Sequence, residues 1–116
     1  YIRSSAKGHG KQNQIEGAYH ERQSVIVVED LISSGKSSLK AVSDLRKEGL
    51  DVKGLISIFT YGFDEASDNF KKADCEFVSL CDYATLLQEA VKQDYIKESN
   101  LEILEQWREN PSKWKL

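Results

Sequence analysis

The stretch that decides the fold is Val25-Ile26-Val27-Val28-Glu29-Asp30-Leu31-Ile32-Ser33-Ser34-Gly35-Lys36-Ser37-Ser38. It opens with four β-branched apolar residues, continues through two adjacent carboxylates and ends in a turn of small residues that leads into a helix. An apolar run of this kind, bounded by polar residues, is typical of a strand buried on both faces of a parallel sheet, so we expect a central strand over residues 25–28. Ligands of open parallel sheets bind beyond the carboxyl ends of the strands, which is where the pattern places Glu29, Asp30 and the turn.

The rest of the chain alternates between apolar runs and helical patterns. We predict a helix over residues 37–48, with Leu39, Val42 and Leu45 on one face and Gly49 as its stop. The elements predicted after it are a strand over residues 52–60, a helix around residues 66–73, a strand over residues 76–80, a helix around residues 87–91 and a last helix that starts at a Ser99/Glu102 capping box and ends before Asn110. Before the deciding stretch, the pattern predicts the end of a strand over residues 1–3, a loop over residues 4–13 and a short strand over residues 15–19. This alternation indicates an α/β fold with a largely parallel sheet flanked by helices.

Composition limits the class of protein. The 116 residues are 40% hydrophobic and 30% charged, which is the balance of one globular domain. The net charge of -3 comes from interspersed acids and bases, so nothing favours a nucleic-acid binder. No apolar run approaches the roughly 18 to 20 residues of a membrane span, and we expect a cytoplasmic protein. Cys75 and Cys81 do not form a CxxC pattern, so we expect buried or unreactive thiols rather than a zinc site. The absence of methionine suggests that the chain is part of a longer protein.

The turn at Ser33, Ser34 and Gly35 has the composition of an anion-binding loop. Backbone N–H groups in such a turn can approach a phosphate, and the amino end of the next helix favours a negative charge. The nucleoside-triphosphate loop GxxxxGK[ST] does not fit, because it requires glycine where Asp30 stands. Acids beside a phosphate loop suit a sugar phosphate, since carboxylates accept hydrogen bonds from ribose hydroxyls. The alternative is that Glu29 and Asp30 merely cap the helix and solvate a loop.

At these residues the sequence resembles the motif with which type I phosphoribosyltransferases bind phosphoribosyl pyrophosphate (PRPP). A second stretch, Arg3-Ser4-Ser5-Ala6-Lys7-Gly8-His9-Gly10 followed by Asn13-Gln14-Ile15-Glu16-Gly17, resembles the mobile catalytic loop of orotate phosphoribosyltransferases. Residues 58–62 and 107–111 are similar to one bacterial branch of that family. The resemblance covers essentially the whole chain. It implies the C-terminal part of a single domain with a Rossmann-like core, in which residues 1–20 form the catalytic loop with its flanking strands and residues 25–116 form the PRPP-binding core and C-terminal helices.

The resemblance also implies roles for individual residues. The residues expected to bind PRPP are Arg3, Lys7, His9, Glu29, Asp30, Leu31, Ile32, Ser33, Ser34, Gly35, Lys36 and Ser37. Of these, Lys7, His9, Glu29 and Asp30 would be catalytic, and Ser33 would also lie near orotate. The reaction implied is transfer of the phosphoribosyl group to orotate, giving orotidine 5'-monophosphate and pyrophosphate in pyrimidine biosynthesis. The Mg²⁺ would be held by the substrate, with no fixed protein metal site, and the protein would be a homodimer whose mobile loop reaches the neighbouring subunit.

Two positions differ from the family pattern. Ser4 stands where many members carry a lysine, and Tyr61-Gly62 stand where many carry an arginine that contacts the orotate carboxylate. Two alternatives therefore stay open: a phosphoribosyltransferase for another nucleobase, and a PRPP-binding regulatory domain without catalysis. We also expect the 116-residue chain alone to be weakly active or inactive.

Overall fold

The computed structural model describes residues 1–2 and 15–114, and the predicted loop residues Arg3, Lys7 and His9 lie outside this part of the chain. The described residues contain one parallel sheet of three strands, β1 (Ser24–Ile32), β2 (Asp51–Thr60) and β3 (Phe77–Asp82), in the order β1-β2-β3. The helices are α1 (Lys36–Lys47), α2 (Asp64–Lys72), α3 (Tyr83–Lys92) and α4 (Leu101–Glu109), with 3₁₀ turns at Glu98–Asn100 and Pro111–Lys113. The predicted α/β class is confirmed, and so is the order of its elements from residue 24 onward.

Helix α1 forms where the apolar spacing predicts it, one residue earlier than expected. Val42 and Leu45 are buried and Leu39 is half-buried, so the predicted face packs into the core. The helix ends because Gly49 adopts a left-handed backbone with φ 81°, and its N–H donates to the carbonyl of Arg46 at 3.1 Å. Glycine adopts this conformation without the steric cost that a Cβ would add, which confirms its role as the stop.

The core is formed by side chains of the sheet, α1 and α2. Its largest fully buried side chains are Phe70, Ile32, Leu55 and Val42. Phe70 of α2 packs against Phe77 of β3 with ring centroids 4.2 Å apart. Cys75 is buried, as predicted, and burial raises the pKa of its thiol above the ordinary value.

The prediction of a central strand buried on both faces is wrong for the described residues. Strand β1 lies at the edge of the sheet, and Ile26 and Val28 are 56% and 76% exposed. Val28 pairs with Ile56, which pairs with Val78, so these residues form an apolar row across all three strands. The reason is that no described element covers this side of the sheet. Strand β1 also runs on to Ile32, so the two acids lie within the strand rather than beyond it.

Two smaller predictions are also wrong. The short strand over residues 15–19 is reduced to one isolated antiparallel bridge between Ile2 and Ile15. The Ser99/Glu102 capping box does not form, because Ser99 lies in a 3₁₀ turn in which the side chain of Asn100 accepts from the N–H of Lys97 at 3.1 Å. None of the described helices has the length and apolarity needed to cross a bilayer.

Candidate functional site

The candidate phosphate loop, residues 33–37, connects β1 to α1. Gly35 precedes α1 with φ 76°, a left-handed conformation that residues with a Cβ rarely adopt. A Cβ on Gly35 would also lie 2.5 Å from Cε2 of Phe70. Glycine is therefore required twice at this position, once for the backbone angle and once for the contact with the core.

The amino end of α1 presents backbone amides that have no partner within the helix. The first hydrogen bond of the helix runs from the N–H of Leu39 to the carbonyl of Gly35 at 2.9 Å, so the amides of residues 36–38 precede it. No side chain caps this end, and its first turn carries no acid. By contrast, α2 has two acids in its first turn, and the Asp82 carboxylate caps α3 by accepting from the N–H of Thr85 at 2.8 Å. The α1 terminus is thus suited to an anion from outside the chain.

Helix α2 holds the phosphate loop from the side. The side-chain amide of Asn69 donates to the carbonyl of Ser34 at 2.9 Å, across 35 residues of sequence. Lys36 pairs with Glu65 at 2.6 Å, but both side chains are more than half exposed, so this ion pair contributes little stability. The role of Asn69 was not predicted from the sequence, because no local pattern shows a contact between residues so far apart.

The two candidate acids do not face the same way. Successive side chains of a strand point to opposite faces, and in agreement Glu29 is half-buried whereas Asp30 is exposed. Glu29 shares a small cleft with Ser37 and Lys40 of α1. The Asp30 carboxylate accepts from the N–H of Leu31 at 2.7 Å. The structure therefore places Glu29 against the amino-terminal half of α1, whereas the Asp30 side chain is exposed.

Ile32 is fixed between the loop and the neighbouring strand. Its side chain is 1% exposed, and its carbonyl accepts from the N–H of Tyr61 at 3.2 Å and the hydroxyl of Thr60 at 3.3 Å. The side chain therefore belongs to the core, and the predicted PRPP contact of Ile32 is restricted to its backbone. Ser33 is exposed and Ser34 is half-buried, so both reach the surface of the loop.

A cleft of about 650 Å³ lies beside the phosphate loop. Ser33 and Ser34 line one side, Gly62 and Phe63 of the β2–α2 turn line another, and Arg108 of α4 completes it. Nη1 of Arg108 donates to the carbonyl of Gly62 at 3.1 Å. Arg108 lies in the segment 107–111, which carries part of the family resemblance, but no role at the site was predicted for it.

An aromatic cluster fixes α4 against this cleft. Trp107 contacts Tyr61, Phe63 and Tyr83, with ring centroids 5.6, 6.0 and 5.4 Å apart. The Tyr83 hydroxyl donates to the carbonyl of Leu104 at 3.3 Å, and burial raises the pKa of that hydroxyl. Aromatic pairs at these distances stabilise beyond the area that they bury, so α4 is held firmly at the end of the sheet.

No group of three or more His, Cys, Asp and Glu side chains suited to a metal ion occurs within residues 1–2 and 15–114. The prediction that Mg²⁺ is held by the substrate stays a prediction.

Comparison with protein-family models found no match. Among solved structures, orotate phosphoribosyltransferase from Aeropyrum pernix superposes with a TM-score of 0.68 at 28% identity, over 83% of this chain and 51% of that one. The enzyme from Mycobacterium tuberculosis in complex with Fe(III) dicitrate gives a TM-score of 0.63 at 33% identity, over 73% and 48%. The parallel sheet with its flanking helices is therefore a type I phosphoribosyltransferase fold.

Curated sequences narrow this class further. The chain is 50% identical over 115 residues to the orotate phosphoribosyltransferase of Cytophaga hutchinsonii, covering 99% of this chain and 55% of that protein. It is 47% identical over 112 residues to that of Halalkalibacterium halodurans, covering 97% and 53%. The chain is thus homologous to the orotate phosphoribosyltransferases over nearly its whole length, and it spans about half the length of the curated relatives it matches.

Proposed function

We propose that this chain is the PRPP-binding part of an orotate phosphoribosyltransferase, which transfers the phosphoribosyl group of PRPP to orotate. The observation that carries the proposal is the uncapped, acid-free amino end of α1 behind Gly35, in a chain homologous to enzymes of that name. Amides of residues 36–38 are the natural ligands for the 5-phosphate. Ser33, which lines the adjoining cleft, is the proposed contact to orotate.

In the proposed reaction a ring nitrogen of orotate attacks the anomeric carbon of the ribose while the bond from that carbon to pyrophosphate breaks. Positive charge develops on the ribose, and Glu29 and Asp30 would stabilise it electrostatically or hold its hydroxyls. Arg3, Lys7 and His9 are proposed to neutralise the departing pyrophosphate. Its charge would also be offset by Mg²⁺, held mainly by oxygens of the substrate. No covalent intermediate with the protein is needed.

We also propose a cytoplasmic homodimer in which residues 3–9 reach the neighbouring subunit. This proposal rests on the resemblance of residues 3–17 to the family's catalytic loop. It is tested by mixing two variants, Lys7→Ala and Asp30→Asn, each of which should have a strongly lowered rate by itself. Mixed dimers should regain activity, because one of their two sites would carry both native residues. A mixture that stays inactive would contradict the exchange of loops.

The test of the reaction uses the longest polypeptide that the gene encodes, called the full-length protein below. Orotate absorbance should fall when PRPP and Mg²⁺ are added, and a panel of purine bases should not be consumed. Glu29→Gln and Asp30→Asn, assayed separately, should each lower the rate. Asp51→Asn is the matched control, because Asp51 is an exposed acid at the opposite end of the sheet.

The proposed reaction is supported if the native protein and Asp51→Asn consume orotate while Glu29→Gln or Asp30→Asn does not. If purines were consumed instead, the protein would be a phosphoribosyltransferase for another base. Binding of PRPP without turnover of any base would favour the regulatory alternative.

A further inference from the structure

The cleft beside the phosphate loop contains a cation whose position suits a carboxylated base. Orotate is a pyrimidine with a carboxylate, which is ionised near neutral pH, so its site needs a positive charge or several N–H donors. Among the described residues that line this cleft, Arg108 is the one with a cationic side chain. We infer that Arg108 binds the carboxylate of the acceptor base and so selects orotate over uracil. This inference rests on the proposed function and deepens it.

The fold fixes Arg108 well enough for that role. Trp107, its neighbour in α4, is held by three aromatic rings, and Arg108 is half-buried. Its hydrogen bond to the carbonyl of Gly62 uses one of the five N–H groups of a guanidinium. The remaining N–H groups keep the planar fork that matches a carboxylate. Preorganisation by α4 lowers the entropy lost on binding.

Acids near Arg108 set the direction in which a carboxylate can bind. Glu65 lines the cleft but is paired with Lys36 at 2.6 Å. Asp64 and Glu109 also line it, and a bound carboxylate would be repelled by both. The base must therefore place its carboxylate against Arg108 and away from Asp64. Removal of the Arg108 charge and removal of the Asp64 charge should consequently have opposite effects on carboxylate binding.

The experiment compares two nucleotides that differ only in the carboxylate. Orotidine 5'-monophosphate carries it, and uridine 5'-monophosphate has hydrogen in its place, while the ribose and 5-phosphate are the same. Dissociation constants of both are measured by calorimetry on the full-length protein. The dissociation constant of uridine 5'-monophosphate divided by that of orotidine 5'-monophosphate reports the contribution of the carboxylate contact alone. We expect Arg108→Gln to lower this ratio about 10- to 100-fold, as for a lost charge-assisted hydrogen bond.

Arg46→Gln is the matched control. Arg46 also ties a helix to backbone carbonyls, those of Ala73 at 2.6 Å and Asp74 at 2.7 Å, but it does not line the cleft. Arg46→Gln should leave the ratio of the two dissociation constants unchanged. Asp64→Asn should raise this ratio, and it serves as the test of the inference if Arg108→Gln does not fold.

The outcomes separate this inference from the proposed function. An unchanged ratio in folded Arg108→Gln would overturn the inference and leave Arg108 as a structural tie between α4 and Gly62. Equal binding of the two nucleotides by the native protein would also overturn it, while nucleotide binding itself would still stand. If neither nucleotide bound, the proposed function would fail, and the inference with it.

Discussion

Gly35 is the residue on which the phosphate loop depends most directly. Its φ of 76° and the 2.5 Å approach of its absent Cβ to Phe70 are two separate obstacles to any side chain. We expect Gly35→Ala to lower the free energy of unfolding by about 2 to 4 kcal/mol, because a left-handed residue and an overpacked core each cost roughly 1 to 2 kcal/mol. Urea unfolding of the full-length protein measures this change in the free energy of unfolding. The affinity of the variant for PRPP should fall as well.

The two obstacles can be separated with a second glycine. Gly49 has φ 81°, but a Cβ there would meet nothing closer than Cγ of Glu21 at 3.5 Å. Gly49→Ala should therefore cost only about 1 kcal/mol, for the backbone alone. The double variant Gly35→Ala/Phe70→Leu should recover PRPP affinity relative to Gly35→Ala. Equal losses of stability at both glycines would show that the contact with Phe70 has no effect.

Asn69 should matter for ligand affinity although it lies on α2. Asn69→Ala removes the hydrogen bond to the Ser34 carbonyl and should lower the free energy of unfolding by about 1 kcal/mol. If the loop must be ordered to bind phosphate, the dissociation constant of PRPP should rise about fivefold, the equivalent of that free energy. Gln106→Ala, which removes an exposed contact to Glu102, should change neither value. Unchanged PRPP binding in Asn69→Ala would mean that the loop keeps its conformation without this contact.

At the scale of elements, the Asp82 carboxylate that caps α3 should make the free energy of unfolding depend on pH in the acid range. The pKa of Asp82 is lowered below its ordinary value by the hydrogen bonds from the backbone and the side chain of Thr85, with a smaller effect of Arg108. A lowered folded-state pKa gives stability that is present above the unfolded-state pKa and is lost as the pH falls through the folded-state value. Asp82→Asn can still cap the helix but does not titrate, so its urea midpoint should depend less on pH below about 4. Asp82→Ala should be destabilised at neutral pH. The same pH dependence in wild type and Asp82→Asn would contradict this assignment.

Elements were predicted well where their signal is local and poorly where it is not. The spacing of Leu39, Val42 and Leu45 and the stop at Gly49 are properties of a single helix, so α1 was placed within one residue. The turn between β1 and α1 was also placed, because its glycine and serines adjoin a strong apolar strand, and phosphate binding by this turn stays a prediction. The contact between Arg108 and Gly62 joins residues 46 positions apart and was missed. Likewise, the acid pair was read as one unit, although alternation along β1 separates the two side chains.

At the scale of the whole molecule, the uncovered side of the sheet is the main feature without a described partner. Its apolar face consists of Ile26, Val28, Ile56, Ile58, Val78 and Leu80, whose exposure ranges from 39% to 76%. Contiguous apolar patches on soluble proteins usually mark a surface that another segment or partner covers. The β-branched run of β1 had predicted burial on both faces, and the curated relatives are about twice as long as this chain. We therefore predict that further polypeptide of the full-length protein covers this face.

Substitutions in the full-length protein test that prediction. Leu80 is 76% exposed in the described chain, so Leu80→Ala would cost under about 0.5 kcal/mol if the face stays open. If the face is covered, Leu80→Ala should lower the free energy of unfolding by about 2 to 4 kcal/mol, as for a buried leucine. Tyr95→Ala is the control, because Tyr95 is 82% exposed and follows α3 rather than belonging to the sheet. A loss at Leu80 no larger than the loss at Tyr95 would mean that the face is open in the complete protein. A larger loss would show that the sheet acquires its second layer from outside this chain, and it would explain why we expect the 116-residue chain to be weakly active or inactive by itself.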